Sequence, residues 1–498
     1  MNFVLLIIDT LRYDYIAANG NDWIKTPNLD RLAARSWCFD RAFCSSFPTI
    51  PHRTDVMTGI YGGPFYPWRP LRHDHITLPE EMGKAGYRTQ LLHDTPHLVN
   101  GGHNFDWPFH GWTPIRGAEV DRPWVDDKGR MPSNWARDPL FDDVPWEERR
   151  RINYYETYTR SNRDRRSIED WNTPRLFRTA AGWLRDNAGT PDYFLWVDCF
   201  DPHEPWDIPP DYAKLYAADP SWDGRIDPRA FGIWRTSQAE RRPEMEKRVA
   251  ALYAGKVTWV DHWLGKFLDA MDQTQAWDHT TVILTADHGT SVGEYGRWGK
   301  KLPVREGEAH VPFMIATPNG ETGHSDMLVQ PHDLFATVMS LAELETPAHI
   351  TGSSNDLLAA VREGREPRQI AVAGGSADGW QTRVRGKEQS PFDAQNLLFT
   401  VFDKEWFLEW SPWKEQCRLT RLGTQVDVAA DNPDVVDRLY AAGLAEVAQR
   451  DIDPKLLAWL ESGGQGPYPE DCVFFRGWPG PSGFRPYFQR LYHGWPQE

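Results

Sequence analysis

The sequence predicts an α/β fold in which helices cover both faces of a mostly parallel central sheet. The segments 3–9, 193–200 and 280–287 ("FVLLIID", "YFLWVDCF" and "TTVILTAD") are continuous apolar runs without alternation. Such runs are typical of strands that are buried on both faces. A similar run at 310–317 predicts a fourth strand. Helical patterns separate these runs, and this alternation is the pattern of an α/β/α sandwich.

Apolar residues at helical spacing predict the helices between these strands. The predicted helices lie at 26–36, 78–86, 173–187 and 243–272. In sheets of this kind, ligands bind beyond the carboxyl ends of the strands. Asp9 and Asp287 each close a predicted strand, so both are expected at that edge of the sheet.

The chain is predicted to consist of a catalytic domain over residues 1–360 and a smaller C-terminal α+β subdomain over 361–498. The sequence pattern changes near residue 365, and strand-like residues at 397–410 and a helical pattern at 433–448 follow. The tail from residue 468 is aromatic and rich in Pro and Gly, so it is expected to wrap the surface in an extended form.

Two long segments, near 100–150 and 204–242, are rich in Pro, Trp and charged residues. Long irregular insertions in a compact domain are usually binding loops or lids. We therefore expect both segments to form lid loops near the site.

The composition argues against several classes of protein. Lys and Arg total 55 against 71 for Asp and Glu, a formal net charge of -16, so no nucleic-acid partner is expected. The 5 Cys are odd in number and lack Cys-x-x-Cys spacing, which fits a reducing compartment better than a disulfide framework. The apolar N-terminal run is short and lacks a basic region, and no apolar stretch is long enough to span a membrane. The sequence therefore predicts a cytoplasmic protein without a membrane partner; a homo-oligomer is compatible with it.

Acidic and histidine side chains follow two of the predicted strands. A buried carboxylate at a strand end is costly unless it is paired, so Asp9 is either a helix cap or a ligand. Asp287 and His288 precede a Gly-rich turn, a pattern found in metal and phosphate sites. Two carboxylates and an imidazole together would suit one divalent cation. No second Asp/His cluster is found at suitable spacing, so one metal ion is expected.

The stretch "CSSFPTIPHRTDVMTG" (44–59) contains two candidate nucleophiles, Cys44 and Thr49. Pro51 suits the first turn of a helix, which would place Thr49 just ahead of that helix. Backbone N–H groups there stabilise an anion, and a metal ion could activate the hydroxyl. The alternative is that Thr49 is only an N-cap. These residues alone leave the choice open.

Eight collinear segments resemble the sulfatase family of the alkaline phosphatase superfamily and cover most of residues 1–350. They are "IIDTLRYD" (7–14), "TPNLDRLAARSWCFDRAF" (26–43), "PTIPHRTDVMTG" (48–59), "TLPEEMGKAGYRT" (77–89), "DPHEPW" (201–206), "TADHGTSVGEYGRWGKK" (285–301), "HVPFMI" (310–315) and "QPHDLFATVMSLAEL" (330–344). The resemblance implies an alkaline phosphatase-like sandwich that hydrolyses a small anionic ester with one divalent metal ion. A His ligand favours Mn²⁺ or Zn²⁺, and relatives with similar ligands also take Ca²⁺.

The resemblance assigns the metal ligands. It implies that Asp9, Asp287 and His288 bind the metal ion and that the nucleophile Thr49 contacts it. Thr10 stands where many relatives have a second acid, so it is included as a weaker candidate ligand.

The resemblance also separates the two candidate nucleophiles. The nucleophile motif of the family is Cys-x-Pro-x-Arg, in which the Cys matures to formylglycine. Thr49 lies at the motif's usual distance from Thr58 and Gly59, and Arg53 matches the arginine that orients the nucleophile. Cys44 fails this spacing. Thr49 is therefore the predicted nucleophile.

Three further residues match the pocket that binds the ester in relatives. His203 in "DPHEPW" resembles the histidine that contacts the transferred group or protonates the leaving oxygen. Lys300 in "GRWGKK" matches the lysine that binds non-bridging oxygens, with Lys301 as its neighbour. His97 matches the His of a Lys-x-His motif whose Lys position is Thr95 here, so one cation of the family pocket is missing. Without the resemblance, each would be a loop histidine or a surface cation.

A threonine changes the chemistry expected of such a site. A formylglycine hydrate expels sulfate by collapsing to its aldehyde, whereas a threonine must form an ester intermediate that water or another acceptor attacks. The predicted function is a metal-dependent hydrolase of phosphate or sulfate esters, with phosphodiesters or phosphonate esters favoured. The alternatives are a sulfatase without formylglycine, a transferase to an alcohol, and a non-catalytic binding homologue.

Overall fold

The computed structural model describes residues 1–62, 68, 70–100, 102–121, 133–142, 144, 157–235, 241–375, 399–449 and 454–467. The predicted wrapping tail lies outside these residues. Parts of the two predicted lid loops, at 101, 122–132, 143, 145–150 and 236–240, lie outside them as well.

The described strands form a large central sheet, a second sheet and a small hairpin. Numbered in chain order they are β1 (Asn2–Ile8), β2 (Trp37–Ala42), β3 (Ser46–Phe47), β4 (Arg88–His93), β5 (Gly111–Pro114), β6 (Tyr193–Cys199), β7 (Thr280–Thr285), β8 (Ser291–Val292), β9 (Trp298–Gly299), β10 (Phe313–Ala316), β11 (Gly323–Val329), β12 (Ala371–Gly375), β13 (Phe399–Phe402), β14 (Trp406–Trp410) and β15 (Arg418–Arg421). The central sheet has the order β11-β2-β10-β7-β1-β6-β4-β5.

The central sheet is mostly parallel, as the apolar runs predict. Strands β7, β1, β6, β4 and β5 pair in parallel, whereas β10 runs antiparallel to both β7 and β2. Strands β1, β6 and β7 are buried along their whole length. The four-residue edge strand β5 falls within the segment predicted to be irregular, and its largely exposed residues explain why no apolar run marks it.

Two groups of helices flank this sheet. The described α-helices are α1 (Pro27–Ala33), α2 (Thr49–Thr58), α3 (Leu78–Lys84), α4 (Thr157–Ser161), α5 (Asn172–Asp186), α6 (Pro210–Lys214), α7 (Pro243–Gln273), α8 (Glu306–Ala309), α9 (Leu334–Leu341), α10 (Leu357–Glu363), α11 (Pro433–Ala448) and α12 (Pro454–Glu461). Helix α7 packs against α1, α5 and α6, and α2 packs against α3 and α9. Pro243 and two acidic residues open α7, which suits the N-terminal turn of a helix. The predicted α/β sandwich is confirmed.

The second sheet joins the C-terminal part of the chain to the segment that contains Thr49. Its order is β15-β14-β13-β12-β3, and the strand-like residues at 397–410 contain β13 and β14, which pair with each other. Strand β3 pairs with β12, with Gly375 opposite Phe47. Since β3 ends two residues before Thr49, the C-terminal sheet supports the chain that leads to the predicted nucleophile.

None of the helices in the described parts of the chain is long and apolar enough to cross a membrane. The expected cytoplasmic location stays a prediction.

Two glycines on helices provide a matched test of packing. A Cβ at Gly443 on α11 would lie 2.7 Å from Val401 and 3.0 Å from Trp410, so Gly443→Ala should lower the free energy of unfolding by ~1–3 kcal/mol. A Cβ at Gly182 on α5 would meet nothing within 4 Å, so Gly182→Ala should raise it by ~0.5–1 kcal/mol through helix propensity.

Calorimetric unfolding midpoints of the two variants would test this contrast. Equal or reversed shifts would show that α11 does not pack on the second sheet as closely as described.

Candidate active site

The register of two parallel strands brings the predicted metal ligands together. Ile7 of β1 lies opposite Thr285 of β7, and an aspartate stands two positions after each of these residues, Asp9 and Asp287. Both carboxylates are fully buried. Oδ1 of Asp287 accepts hydrogen bonds from the backbone N–H groups of Thr10 (2.9 Å) and His288 (2.8 Å). The two strand ends therefore form one site, as the sequence predicts.

The imidazole of His288 is oriented to offer a lone pair. Its Nδ1 donates to the carbonyl oxygen of Gly289 over 2.7 Å, which leaves Nε2 as the unprotonated nitrogen. Nε2 is buried and has no hydrogen-bond partner among the described residues. Burial lowers the pKa of His288 to about 4, so the ring is neutral, the form that binds metals.

The donor set fits a divalent cation. Ligand atoms of Asp9, Asp287 and His288 all lie within 4.8 Å of one another. Oδ2 of Asp9 receives no well-directed hydrogen bond from the described residues. Burial and, after it, the charge of Asp287 raise the pKa of Asp9 to about 8, so a nearby cation would be needed to keep this carboxylate ionised at neutral pH. Two oxygen donors and a neutral imidazole suit Mn²⁺, Zn²⁺ or Ca²⁺.

Arg53 is fully buried among three carboxylates. Its Nη1 lies 2.5 Å from Asp287 Oδ2, and its Nη2 lies 3.2 Å from Asp9 Oδ2. Its Nε and Nη2 bind the two oxygens of Asp198 at 2.9 and 2.8 Å, the bidentate geometry that favours Arg over Lys. When all three carboxylates are ionised, the single guanidinium leaves two negative charges, which a divalent cation would balance.

Asp198 is a site residue that sequence reasoning missed. It lies in β6 beside Ile7 of β1, and so enters the site from the neighbouring strand. Besides Arg53 it accepts hydrogen bonds from Thr95 Oγ1 (2.5 Å) and Trp196 Nε1 (3.2 Å). The one feature of the sequence that could have indicated this residue is that it is an acid inside the apolar run 193–200. Thr95, at the position of the missing family lysine, thus helps to hold this carboxylate.

Thr49 is the first residue of α2. The sequence predicted it just ahead of the helix, but Pro48, with extended backbone, is the N-cap, so Pro51 is the third helical residue. Pro48 provides no side-chain cap, and among the described residues no hydrogen bond involves the hydroxyl of Thr49. The residue is 2% exposed. Arg53 Nη1 donates to the carbonyl oxygen of Thr49 over 3.1 Å, which ties the helix start to the carboxylates.

Cys44 has the properties of a core residue. Its side chain is fully buried in the apolar core, and its backbone N–H donates to Ala309 over 2.7 Å. Burial, with the nearby charge of Asp287, raises the pKa of the thiol well above its ordinary value. A neutral, enclosed thiol is a poor nucleophile, which agrees with the spacing argument against Cys44.

Two residues near the end of β1 support the site. The hydroxyl of Thr10 donates to Asp9 Oδ1 over 2.6 Å, so it orients that carboxylate. Arg12 donates to the carbonyl oxygen of Thr290 over 3.0 Å and lies 2.7 Å from Glu294 Oε1. It therefore fastens the loop after His288 to the end of β1, a role that the sequence alone did not suggest.

Lys300 and His203 come from separate motifs and meet in the structure. Lys300 Nζ lies 2.6 Å from His203 Nε2 and 3.1 Å from Glu204 Oε2, whereas Lys301 is exposed. Around the other nitrogen, His203 Nδ1 lies 2.5 Å from the carbonyl oxygen of Glu204 and 3.1 Å from Glu119 Oε2. The side chains of Glu119, His203 and Glu204 thus form a second cluster that sequence spacing did not reveal.

His97 lies beside the same group through an aromatic contact. The ring of Phe200 stacks on His203 at 4.1 Å between centroids and meets the ring of His97 edge-on at 5.7 Å. Desolvation and repulsion from His203 hold the pKa of His97 well below its ordinary value. His97 is therefore a neutral ring, and the charge of Lys300 also favours this form.

Comparison with known proteins decides the family. The family model described as Sulfatase matches residues 1–344. The chain belongs to the sulfatase family. It is 25% identical over 455 residues to an arylsulfatase of Clostridium perfringens, covering 82% of this chain and 85% of the relative. It is 24% identical to mouse iduronate 2-sulfatase, covering 70% and 69%.

The fold comparison agrees. The phosphonate monoester hydrolase of Agrobacterium radiobacter superposes with a TM-score of 0.66 at 21% identity, covering 95% of this chain and 99% of that structure. Membership of the sulfatase family makes this chain an ester hydrolase that acts on sulfate or phosphate esters.

The charge balance around Arg53 generates a prediction about metal affinity. In Asp198→Asn the guanidinium of Arg53 loses its bidentate carboxylate partner. Its positive charge is then balanced only by Asp9 and Asp287, the two carboxylates that would bind the metal ion. We expect divalent metal to bind about 10–100-fold more weakly, the effect typical of residues that orient metal ligands. Isothermal titration with Mn²⁺, Zn²⁺ and Ca²⁺ would measure it.

The exposed Asp269, paired with Arg31 on the surface, offers a matched control as Asp269→Asn. Unchanged metal affinity in a folded Asp198→Asn variant would show that Arg53 does not compete for these carboxylates.

Proposed function

We propose that the chain is a metal-dependent hydrolase of monoanionic phosphodiesters or phosphonate monoesters, with Thr49 as its nucleophile. One observation carries the proposal: the hydroxyl of Thr49, unpartnered within the described chain, begins α2, and Arg53 links the backbone of Thr49 to Asp9 and Asp287. A nucleophile, an anion-stabilising helix start and a candidate metal site are thereby joined through one side chain.

Asp9, Asp287 and His288 would hold the metal ion, with Thr49 Oγ1 as the substrate-side partner. A bound divalent ion supplies a Lewis acid and favours the ionised form of a nearby hydroxyl. Thr10 supports this set by orienting Asp9.

The side chains around the site suggest an in-line displacement. The oxygen of Thr49 attacks the phosphorus or sulfur atom, and the backbone N–H groups at the start of α2 favour the negative charge there. Lys300 would bind the non-bridging oxygens. His203 is favoured over His97 as the acid for the leaving oxygen, because carboxylates surround His203 whereas the pKa of His97 is strongly lowered.

The charges of the pocket favour an ester with one negative charge. Lys300 already pairs with Glu204 at 3.1 Å, and the second family lysine is replaced by Thr95. Arg53 is matched by three carboxylates, so little uncompensated positive charge remains for the substrate. Phosphodiesters, phosphonate monoesters and sulfate monoesters are monoanions, whereas phosphate monoesters are dianions at neutral pH.

A threonine nucleophile then favours phosphorus esters over sulfate esters as substrates. A threonine ester cannot collapse to an aldehyde, so release requires attack on the transferred group, which phosphorus tolerates well. The phosphonate monoester hydrolase of Agrobacterium radiobacter has the same fold. The arylsulfatase relative supports a sulfatase without formylglycine as the second candidate.

A transferase and a non-catalytic binding homologue can each be distinguished from a hydrolase by one observation. A transferase would pass the group from Thr49 to an alcohol, so a competing alcohol would divert most of the product. A binding homologue would have little reason to retain a buried imidazole nitrogen, unpartnered among the described residues, beside two buried carboxylates.

Thr49 variants test the nucleophile. Thr49→Val keeps the shape but lacks the hydroxyl, so we expect kcat/KM to fall at least about 10³-fold. Thr49→Ser keeps the oxygen and should stay within about tenfold of the parent. Thr49→Val with near-parent activity, at unchanged metal content, would exclude Thr49 as the nucleophile.

A substrate panel with one common aryl leaving group tests the charge argument. We expect kcat/KM for the phosphodiester or phosphonate monoester to exceed that for the phosphate monoester by at least about tenfold, about 1.4 kcal/mol of transition-state stabilisation. The sulfate ester should be turned over more slowly than the phosphodiester. A preference for the dianionic monoester would refute the charge argument, and turnover of the sulfate alone would favour a sulfatase without formylglycine.

A further inference from the structure

Glu119 forms the outer end of a carboxylate–imidazole–ammonium arrangement with His203 and Lys300. We propose that Glu119 is a positioning residue that holds His203 in the orientation needed to protonate the leaving oxygen. The proposal rests on the proposed function, in which His203 is the general acid.

The carboxylate of Glu119 is aimed at His203. Glu119 is 4% exposed, and its Oε2 lies 3.1 Å from Nδ1 of His203. Among the described residues this oxygen makes no hydrogen bond of good geometry, so its 3.1 Å approach to His203 is an ion-pair contact. Nδ1 also faces the carbonyl oxygen of Glu204 at 2.5 Å. Since both neighbours are acceptors, Nδ1 carries a proton and Nε2 is the nitrogen left for exchange.

The backbone around Glu119 is fixed by hydrogen bonds on both sides. Gly117 donates from its N–H to Asp121 Oδ2 over 2.9 Å, and its carbonyl oxygen accepts from Asn162 Nδ2 over 2.9 Å. Asn100 Nδ2 donates to the carbonyl oxygen of Val120 over 3.2 Å. Glu119 is thereby presented from a held loop, as a positioning group requires.

The imidazole is held from the other directions as well. Phe200 stacks on its face at 4.1 Å between centroids, with the planes 19° apart. Lys256, from α7, donates to the carbonyl oxygens of His203 (2.8 Å) and Pro205 (2.6 Å). The remaining freedom of the ring is a flip about its Cβ–Cγ bond, and the carboxylate of Glu119 opposes that flip.

The side chains of Glu119, His203 and Glu204 could also suggest a second metal site. However, the ammonium of Lys300 lies 2.6 Å from His203 Nε2 and 3.1 Å from Glu204, so a cation already stands among these groups. The arrangement therefore favours proton transfer over metal binding.

The proton balance of the step is simple. In the imidazolium form both ring nitrogens carry protons, so Lys300 no longer donates to Nε2 and bonds instead to Glu204 and the non-bridging oxygens. As the bond from phosphorus or sulfur to the leaving oxygen breaks, that oxygen keeps the electron pair and takes the Nε2 proton. The neutral ring keeps its Nδ1 proton beside Glu119.

The charges that face His203 agree with this role. Burial lowers its pKa and so does Lys300, but the carboxylates of Glu204 and Glu119 outweigh them, so the pKa stands above its ordinary value. A general acid works only while protonated, so activity should fall as the pH rises through this pKa. Removing the charge of Glu119 should move that fall to lower pH.

The test compares Glu119→Gln with the parent on phosphodiesters or phosphonate monoesters whose leaving groups range from activated aryl to alkyl. We expect kcat/KM to fall about 10–100-fold for the poorest leaving group and less than about threefold for the most activated one. The basic limb of the pH profile should shift to lower pH. Combining Glu119→Gln with His203→Gln should add little to His203→Gln alone.

Asp121→Asn is the matched control, because Asp121 holds the same loop without touching His203. A merely structural effect would lower kcat/KM evenly across the leaving groups in both variants, with the pH profile unmoved. That result in Glu119→Gln, or no effect at all, would overturn the positioning role.

The two proposals fail in different ways. If the parent hydrolyses the ester series but Glu119→Gln lowers kcat/KM by the same factor for every leaving group, only the role of Glu119 is wrong. If the parent hydrolyses none of the esters, or if His203→Gln shows no dependence on the leaving group, the proposed function or its acid is wrong, and the positioning role falls with it.

Discussion

A single guanidinium among three buried carboxylates holds the site together. Arg53 binds Asp198 with two hydrogen bonds and contacts Asp9 and Asp287. A buried charge is tolerated only when it is paired, and here the pairing leaves an excess of negative charge. That excess makes a divalent cation the natural complement of the site. Because the same arginine bonds to the backbone of Thr49, it also ties the proposed nucleophile to these carboxylates.

The parallel sheet provides the framework for this interaction. Strands β6, β1 and β7 are neighbours in register, so side chains at their carboxyl ends converge at one edge. The second sheet contributes as well, since β12 pairs with β3 immediately ahead of α2. The C-terminal chain thus acts on the site by bracing the segment that contains Thr49.

The sequence predicts what is local or repeated, and misses what depends on loop geometry. Apolar runs located the central strands, and the strand-end acids Asp9 and Asp287 followed from them. Asp198 was hidden because a run that continues past an acid looks like an uninterrupted strand. Glu119 could not be found, since no motif contains it and only the folded loop brings it to His203. The predicted start of α2 lay after Thr49, whereas the helix begins at Thr49 itself. Pro51 is compatible with several positions in a first turn, and the extended backbone of Pro48 fixes which one it takes.

The most direct test of the threonine mechanism is to trap the transferred group on the enzyme. The reaction with an activated ester would be stopped in acid within one turnover, and the digested chain mapped by mass spectrometry. We expect a phosphoryl or phosphonyl adduct on the peptide that contains Thr49, and its absence from Thr49→Val. An adduct on Cys44 or another residue, or single-turnover product release with no adduct on Thr49, would contradict the mechanism.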